Sequence, residues 1–214
     1  MTGYRTLLRP SRTEILIQKS RFIGEASPVE NEESAMEFLR NARQTYPDAS
    51  HHCYAYIIGS NMGIMRYSDD GEPGGTAGLP IMEVLRRGKI CNCVAVVTRY
   101  FGGILLGTGG LHRAYTQSCA EAVRASGTGI MEETDSLLCE TPYSLWDKVR
   151  HALSSLPVRL VHSEYSSSVT FTLEVRSRDT EMVTRELTRI SNAQILILPD
   201  RTEYVIWETA PEEA

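Results

Sequence analysis

The 214-residue chain has no long hydrophobic run, since no stretch approaches the roughly 18 consecutive apolar residues of a transmembrane helix. The best candidate, from Cys91 to Thr98, ends at Arg99. The N-terminal residues lack the apolar core of a secretion signal, so we expect a cytoplasmic protein without a membrane partner. Cysteine is also scarce: there are five, an odd number, which indicates free thiols in a reducing compartment.

Several signatures of catalysis and cofactor binding are missing as well. Gly107 is followed by Thr108, Gly109 and Gly110, which fits neither the Walker A pattern nor the dinucleotide fingerprint. There is no Gly-x-Ser-x-Gly nucleophile motif, and Cys91-x-Cys93 lacks the two-residue gap of redox and zinc motifs. The sequence therefore predicts no cofactor and no metal, and it favours a non-enzymatic role while leaving enzymatic activity open.

Charge is close to balanced but unevenly distributed along the chain. Hydrophobic residues make up 42% and charged residues 23%, with a net charge of -5, as in ordinary globular proteins. Residues 1–132 hold 14 Lys and Arg against 13 Asp and Glu, whereas residues 133–214 hold 8 against 14. This balance excludes a generally cationic nucleic-acid coat but not a local basic patch. The shift and a glycine-containing stretch at 125–129 predict two domains, 1–132 and 133–214.

The second half has the pattern of a ferredoxin-like domain. We predict a strand over 136–143, a helix capped by Ser144 and ending before Pro157, and strands over 158–164 and 169–175. A helix capped by Asp179, with Met182 on its apolar face, and a strand over 194–198 follow. This β-α-β-β-α-β order is the split βαβ arrangement. A further edge strand is predicted over 204–207, and a frayed tail from Pro211.

The first half is predicted to be an α+β domain with a mostly antiparallel sheet. The predicted elements, in chain order, are strands over 14–18 and 20–26, a helix over 32–45, strands over 52–58 and 64–68, a short helix from Pro80 to Gly88, a buried strand over 93–100 and a helix over 111–125.

A glycine-rich loop between the buried strand and the last helix is the strongest candidate site. Because glycines admit close approach and a helix N-terminus carries exposed N–H donors, the loop predicts an anion or nucleic-acid phosphate site. The alternative is a tight turn whose glycines serve packing. The predicted anion-binding residues are Arg99, Gly102, Gly103, Gly107, Thr108, Gly109, Gly110 and Arg113.

A second glycine-rich loop, from Ser68 to Pro80, carries Asp69, Asp70, Glu72 and Thr76. Clustered carboxylates would suit a hard cation, but Asp side chains before glycine also cap turns. A third interpretation is that this acidic loop packs against Arg99 or Arg113 and orders the glycine loop. We expect both loops to meet at one pocket.

Four further residues are candidates for lining this pocket: His51, His52, Tyr100 and Tyr115. The two adjacent histidines lie on a predicted strand and point to opposite faces. His51 and Cys53 share a face, yet no second pair completes a zinc site. Tyr100, Phe101 and Tyr115 would stack on bases, or would be core residues beside a buried strand.

These motifs resemble those of the IMPACT/YigZ family. The resemblance rests on His51-His-Cys53, on the loop from Ser68 to Pro80, and on the segment from Arg99 to Tyr115. It implies a first domain similar to domain 2 of ribosomal protein S5 and a second similar to the last domain of elongation factor G. Eukaryotic members regulate translation initiation by binding a ribosome-associated activator of a stress kinase. The resemblance therefore implies RNA, the ribosome or a translation-control protein as partner.

Three functional hypotheses follow. The first is a non-enzymatic, translation-associated factor that binds RNA or the ribosome. The second is an enzyme or sensor for a phosphorylated small molecule, with Mg²⁺ held by Asp69, Asp70 or Glu72. The third is a protein-interaction module in which both loops are structural.

Overall fold

The computed structural model describes residues 3–208, which form two compact units. The first unit holds residues 3–131 and the end of the last strand from Ile206, and the second holds Glu132–Val205. The elements of the first unit are β1 (Tyr4–Leu7), β2 (Ser11–Ile17), β3 (Ser20–Pro28), α1 (Glu32–Thr45), β4 (His51–Ile58), β5 (Ile64–Ser68), α2 (Gly78–Arg87), β6 (Cys93–Tyr100), α3 (Gly107–Ser126) and the start of β7 (Thr128–Thr141).

The first unit is built on an antiparallel sheet with strand order β2-β3-β6-β4-β5. β6 lies at its centre and carries apolar side chains on both faces of the sheet. α2 and α3 cover one of these faces, and α1 covers part of the other. Gly24 on β3 allows α3 to approach closely, since a Cβ there would lie 2.5 Å from the carbonyl oxygen of Ser118. This packing fixes the start of α3 beside the end of β6.

The second unit contains β7, α4 (Tyr143–Leu153), β8 (Val158–Tyr165), β9 (Val169–Arg176), α5 (Thr180–Ile190) and β10 (Leu196–Glu208). β7 pairs with β10 and β9, and β9 pairs with β8, which gives the order β10-β7-β9-β8. Both helices contribute to one core on a single face of this sheet. The α+β class and the ferredoxin-like order are therefore confirmed.

Three strands differ from the sequence prediction. β1 was not predicted, because its four residues show too little alternation; it is held by pairing with the first residues of β7. β7 begins at Thr128 rather than 136, so the glycine-containing stretch at 125–129 ends α3 and then continues directly into a strand. The predicted strands over 194–198 and 204–207 are parts of the single strand β10.

Three helix details are corrected. α3 begins at Gly107 rather than 111, because its first turn consists of Gly-Thr-Gly-Gly, which propensity alone does not assign to a helix. α4 begins at Tyr143 after Pro142, and Ser144 does not cap it. Asp179 precedes α5 without a side-chain capping bond, and Met182 is 43% exposed rather than on the buried face.

All five cysteines are free and buried. None of the helices within residues 3–208 is both long and apolar enough to cross a membrane. The tail predicted from Pro211 lies outside the described residues.

Candidate functional site

The acidic loop between β5 and α2 is ordered by its own carboxylates. Asp69 accepts hydrogen bonds from the backbone N–H groups of Gly75 (2.8 Å), Ala77 (3.0 Å) and Gly78 (2.8 Å). It therefore caps the start of α2, whose N-cap residue supplies no side-chain bond of its own. The Thr76 hydroxyl donates to the carbonyl of Pro73 at 2.6 Å. Asp69 therefore caps backbone N–H groups of a turn, which is one of the interpretations that the sequence analysis gave for the acidic loop.

Asp70 ties the loop to the neighbouring strand and helix. One oxygen accepts from the backbone N–H of His52 at 2.7 Å, and the other from the Arg43 guanidinium at 3.1 Å. Its carbonyl accepts from His51 Nδ1 at 2.8 Å, which places the proton of that imidazole on Nδ1. Asp70 has a φ of +43°, so these bonds hold an uncommon backbone conformation.

Glu72 is the point where the three sequence motifs meet. Its Oε1 accepts from the Arg99 guanidinium at 2.6 Å and from the Tyr115 hydroxyl at 2.7 Å, and it lies 3.9 Å from His51 Nε2. The Glu72 side chain is 3% exposed and that of Arg99 is 5% exposed. The network is therefore a buried ion pair with a hydrogen-bonded phenol.

The Tyr115 phenol and the Cys53 thiol beside Glu72 are neutral. Burial raises the pKa of the Tyr115 phenol and of the Cys53 thiol well above their usual ranges. The Cys53 thiol donates to the carbonyl of Asp69 at 3.0 Å. Burial likewise lowers the pKa of His52, whose Nε2 lies 3.1 Å from the carbonyl of Tyr46. Cys53 is therefore a structural thiol rather than a nucleophile.

No described arrangement of side chains in this region resembles a metal centre. Among residues 3–208, no three His, Cys, Asp or Glu side chains are grouped so that they would hold a metal ion. The oxygens of Asp69 and Glu72 described above are directed at protein donors instead.

The glycine loop (residues 102–110) is fixed at its first residue. The Ser20 hydroxyl accepts from the Gly102 N–H at 3.2 Å and from Arg99 at 3.3 Å. The Ser50 hydroxyl accepts from the Phe101 N–H at 3.2 Å. A Cβ on Gly102 would lie 2.1 Å from the carbonyl of Lys19, so only glycine fits there.

Beyond Gly102 the loop is open to solvent. Gly103 and Gly107 have φ values of +81° and +69°, and a Cβ on Gly103, Gly107 or Gly109 would meet no atom within 4 Å. Leu105 is 86% exposed and Phe101 48% exposed. The loop therefore presents backbone and apolar side chains outward.

The start of α3 is uncapped. Its N-cap residue, Leu106, makes no side-chain capping bond, and the first turn contains no acidic residue. Thr108 and Gly109 are exposed in this turn. Arg113, one turn further along, is exposed and pairs with no carboxylate among residues 3–208. The positive end of a 20-residue helix therefore faces solvent beside a free cation.

Comparison with known proteins assigns the chain to a family. Residues 18–123 match the Impact N-terminal domain, and residues 139–194 match a domain of unknown function, DUF1949. IMPACT family member YvyE of Bacillus subtilis is 37% identical over 192 residues, which cover 90% of this chain and 88% of that protein. The chain belongs to the IMPACT family.

Further relatives agree with this assignment. IMPACT family member YigZ of Escherichia coli is 36% identical over 155 residues, covering 72% of this chain and 76% of that protein. A solved structure described as a hypothetical protein is similar with a TM-score of 0.60 and 30% identity, covering 94% of this chain and 98% of that one. All three sequence motifs lie within the segment that matches the Impact N-terminal domain.

The structure divides the predicted site residues into two groups. Arg99 and Tyr115 face the buried Glu72 network together with His51, so they are not exposed to an anion or a base. His52 is also buried, and the Tyr100 hydroxyl bonds to Asp48 at 2.9 Å. The exposed group is a smaller set: Gly103, Gly107, Thr108, Gly109 and Arg113.

Sequence reasoning missed three contributors. Ser20 and Ser50 hold the start of the glycine loop but are 82 and 51 residues away from their partners in the chain, so no local pattern marks them. Leu105 is a single leucine in an apolar-looking segment, and only the structure shows that it is exposed.

Proposed function

We propose that this protein is a non-enzymatic factor that binds RNA on the ribosome and takes part in regulating translation. The observation that carries the proposal is the exposed, uncapped start of α3 behind the glycine loop. Backbone N–H groups there suit a phosphate oxygen, and Arg113 adds a positive charge within reach of the same backbone. The proposal places the protein with ribosomes in the cytoplasm.

The residues around this helix start also suit RNA. Phe101, half exposed, offers a ring on which a base would stack, and the open glycines allow a sugar–phosphate chain to approach the backbone. The nearly neutral first unit, rather than the acidic second unit, would face the nucleic acid. Exposed Ile104 and Leu105 would contact an adjoining ribosomal protein.

The alternative of a phosphorylated small molecule with Mg²⁺ has less support. It requires free carboxylates, whereas Asp69 caps α2 and Glu72 pairs with Arg99. The interaction-module hypothesis agrees with these structural carboxylates but leaves the uncapped helix start without a role.

Co-sedimentation with ribosomes and purified subunits over a series of salt concentrations tests the proposal. We expect pelleting that weakens with salt, because phosphate contacts release counterions. Arg113→Ala should weaken binding several-fold and reduce the salt dependence by about one ion. Arg40→Ala, at an exposed position on α1, is the matched control and should leave binding unchanged.

The outcome that contradicts the proposal is equally specific. If wild-type protein fails to pellet at low salt, or if Arg113→Ala and Arg40→Ala bind as well as wild type, the start of α3 is not an RNA contact. A melting-temperature shift that requires both a nucleotide and Mg²⁺ would then favour the small-molecule alternative.

A further inference from the structure

The sheet of the second unit has one covered face and one open face. Leu137, Cys139 and the inward residues of β9 pack against α4 and α5. The residues between them in sequence, including Leu138, Thr170 and Thr172, point to the other side because side chains alternate along a strand. Ile195, just before β10, belongs to the core and Ile197 on β10 packs against it, so Leu196 and Leu198 lie on the open side.

The part of this open face that lies on β7 and β10 is apolar. Leu138, Leu196 and Leu198 are 47%, 50% and 46% exposed. β7 and β10 are neighbouring strands: Gly129 lies against Ile206, and the Ser136 hydroxyl donates to Asp200 at 3.4 Å. The strands therefore run antiparallel with Leu138 near Leu198, so the leucines form one group rather than scattered single residues. Grouped apolar side chains with a polar rim are typical of a protein-binding surface.

The rim of the open face is acidic. Glu140, Thr170 and Glu164 are aligned across β7, β9 and β8, which places the two carboxylates two strands apart, or about 10 Å. Glu174 lies on the same face of β9. The arginines near these groups are Arg159, 3.7 Å from Glu174, and Arg201, 3.4 Å from Asp200, and the imidazole of His162 has its Nε2 3.1 Å from Glu164. With Asp200, four carboxylates are therefore set against two arginines on this side of the sheet.

We propose that this open face binds a basic amphipathic segment of a partner protein, with apolar residues on the leucines and Lys or Arg side chains on the glutamates. Charge decides between occupants. An RNA strand would bring phosphates against Glu140 and Glu164, and a second copy of this chain would bring the same carboxylates face to face. A helix with leucines on one side and lysines on its flanks complements both the leucines and the glutamates of this face.

A synthetic 18-residue peptide of leucine and lysine, arranged to form an amphipathic helix, is the probe. Binding is measured by fluorescence anisotropy and mapped by ¹⁵N chemical shifts of the full chain. We expect shifts at 136–140, 160–164, 170–174 and 196–200. A peptide of the same composition in scrambled order should bind at least tenfold more weakly.

Two independent variants test the face. The double substitution Leu138→Ser and Leu198→Ser removes two of the three leucines, and Thr172→Arg places a cation on β9 directly beside Leu138; each should weaken peptide binding at least tenfold. Leu16→Ser, at a position that is 72% exposed in the first unit, is the control and should leave binding unchanged. Circular dichroism confirms that each variant is folded.

The proposal is overturned if both face variants bind the peptide like wild type, if the shifts map elsewhere, or if the scrambled peptide binds equally well. It is also overturned if oligouridine RNA shifts the open-face resonances. Arg113→Ala should not affect the peptide, so this surface and the proposed RNA contact are tested separately.

Discussion

Replacing Glu72 by glutamine should destabilise the first unit by about 3–5 kcal/mol. The change keeps the shape of the side chain but removes its charge, so the Arg99 guanidinium stays buried without its carboxylate 2.6 Å away. Removing one partner of a buried ion pair leaves a desolvated charge, which is the costly case. The Tyr115 hydroxyl can still donate to the amide oxygen, so the loss comes mainly from the ion pair.

The competing idea of a cation site predicts the opposite sign. If Asp69, Asp70 and Glu72 formed an empty metal site, removing one negative charge in the presence of a chelator would relieve repulsion and stabilise the protein. Urea unfolding in EDTA, followed by circular dichroism, measures the difference. A gain in stability, or a loss below about 1 kcal/mol, would refute the ion-pair interpretation.

Two comparisons sharpen the assay. Glu14→Gln breaks ion pairs with Arg21 and Arg12, whose side chains are 40% and 48% exposed, so it should cost at most about 1 kcal/mol. The double substitution Glu72→Leu and Arg99→Met removes both buried charges and should lose less stability than Glu72→Gln alone.

Two further predictions concern the glycine loop and the sheet. Gly102→Ala should destabilise by more than about 2 kcal/mol, because its Cβ would overlap the Lys19 carbonyl, whereas Gly109→Ala, in the first turn of α3, should be neutral or stabilise by up to about 1 kcal/mol; thermal unfolding compares them. Burial raises the pKa of the Glu25 carboxyl in the folded protein. The neutral carboxyl therefore contributes stability at pH values below its pKa in the unfolded chain, and this contribution is lost as the pH rises through its pKa in the folded protein. Glu25→Gln should therefore be more stable than wild type at neutral pH, with the difference disappearing under acid, as melting temperatures between pH 3 and 8 would show; an equal difference at all pH values would contradict this.

The sequence predicted the elements whose signals are local. The helix over 32–45 and the strand over 93–100 match α1 and β6 to the residue, because a run of 14 residues with helical spacing and a run of buried β-branched residues have no competing pattern. Elements that depend on distant partners were missed. β1 exists because it pairs with β7, and the first turn of α3 is helical although glycine disfavours helix.

The same distinction, between what local sequence indicates and what depends on distant partners, applies to the candidate site. That the motifs converge could be anticipated from their glycine and charge content, but their individual roles could not. Arg99 and Arg113 look alike in sequence, yet the alternation of β6 directs Arg99 into the buried network, whereas the helical position of Arg113 leaves it exposed. The decisive facts are burial and pairing, which arise from packing rather than from local sequence.

The glycines of the two glycine-rich loops are thus required for different physical reasons. In the acidic loop, Gly78 is required because a Cβ would lie 2.6 Å from the carbonyl oxygen of Ser68, and the carboxylates point at protein donors. In the glycine loop, Gly102 is required by Lys19, and Gly103 and Gly107 by their positive φ. Gly109 has neither constraint, and alanine would favour the helix there. The fold therefore does not require glycine at position 109, but a ligand bound to the start of α3 would need the space that glycine leaves there. Gly109→Ala should accordingly weaken RNA binding while leaving the fold intact.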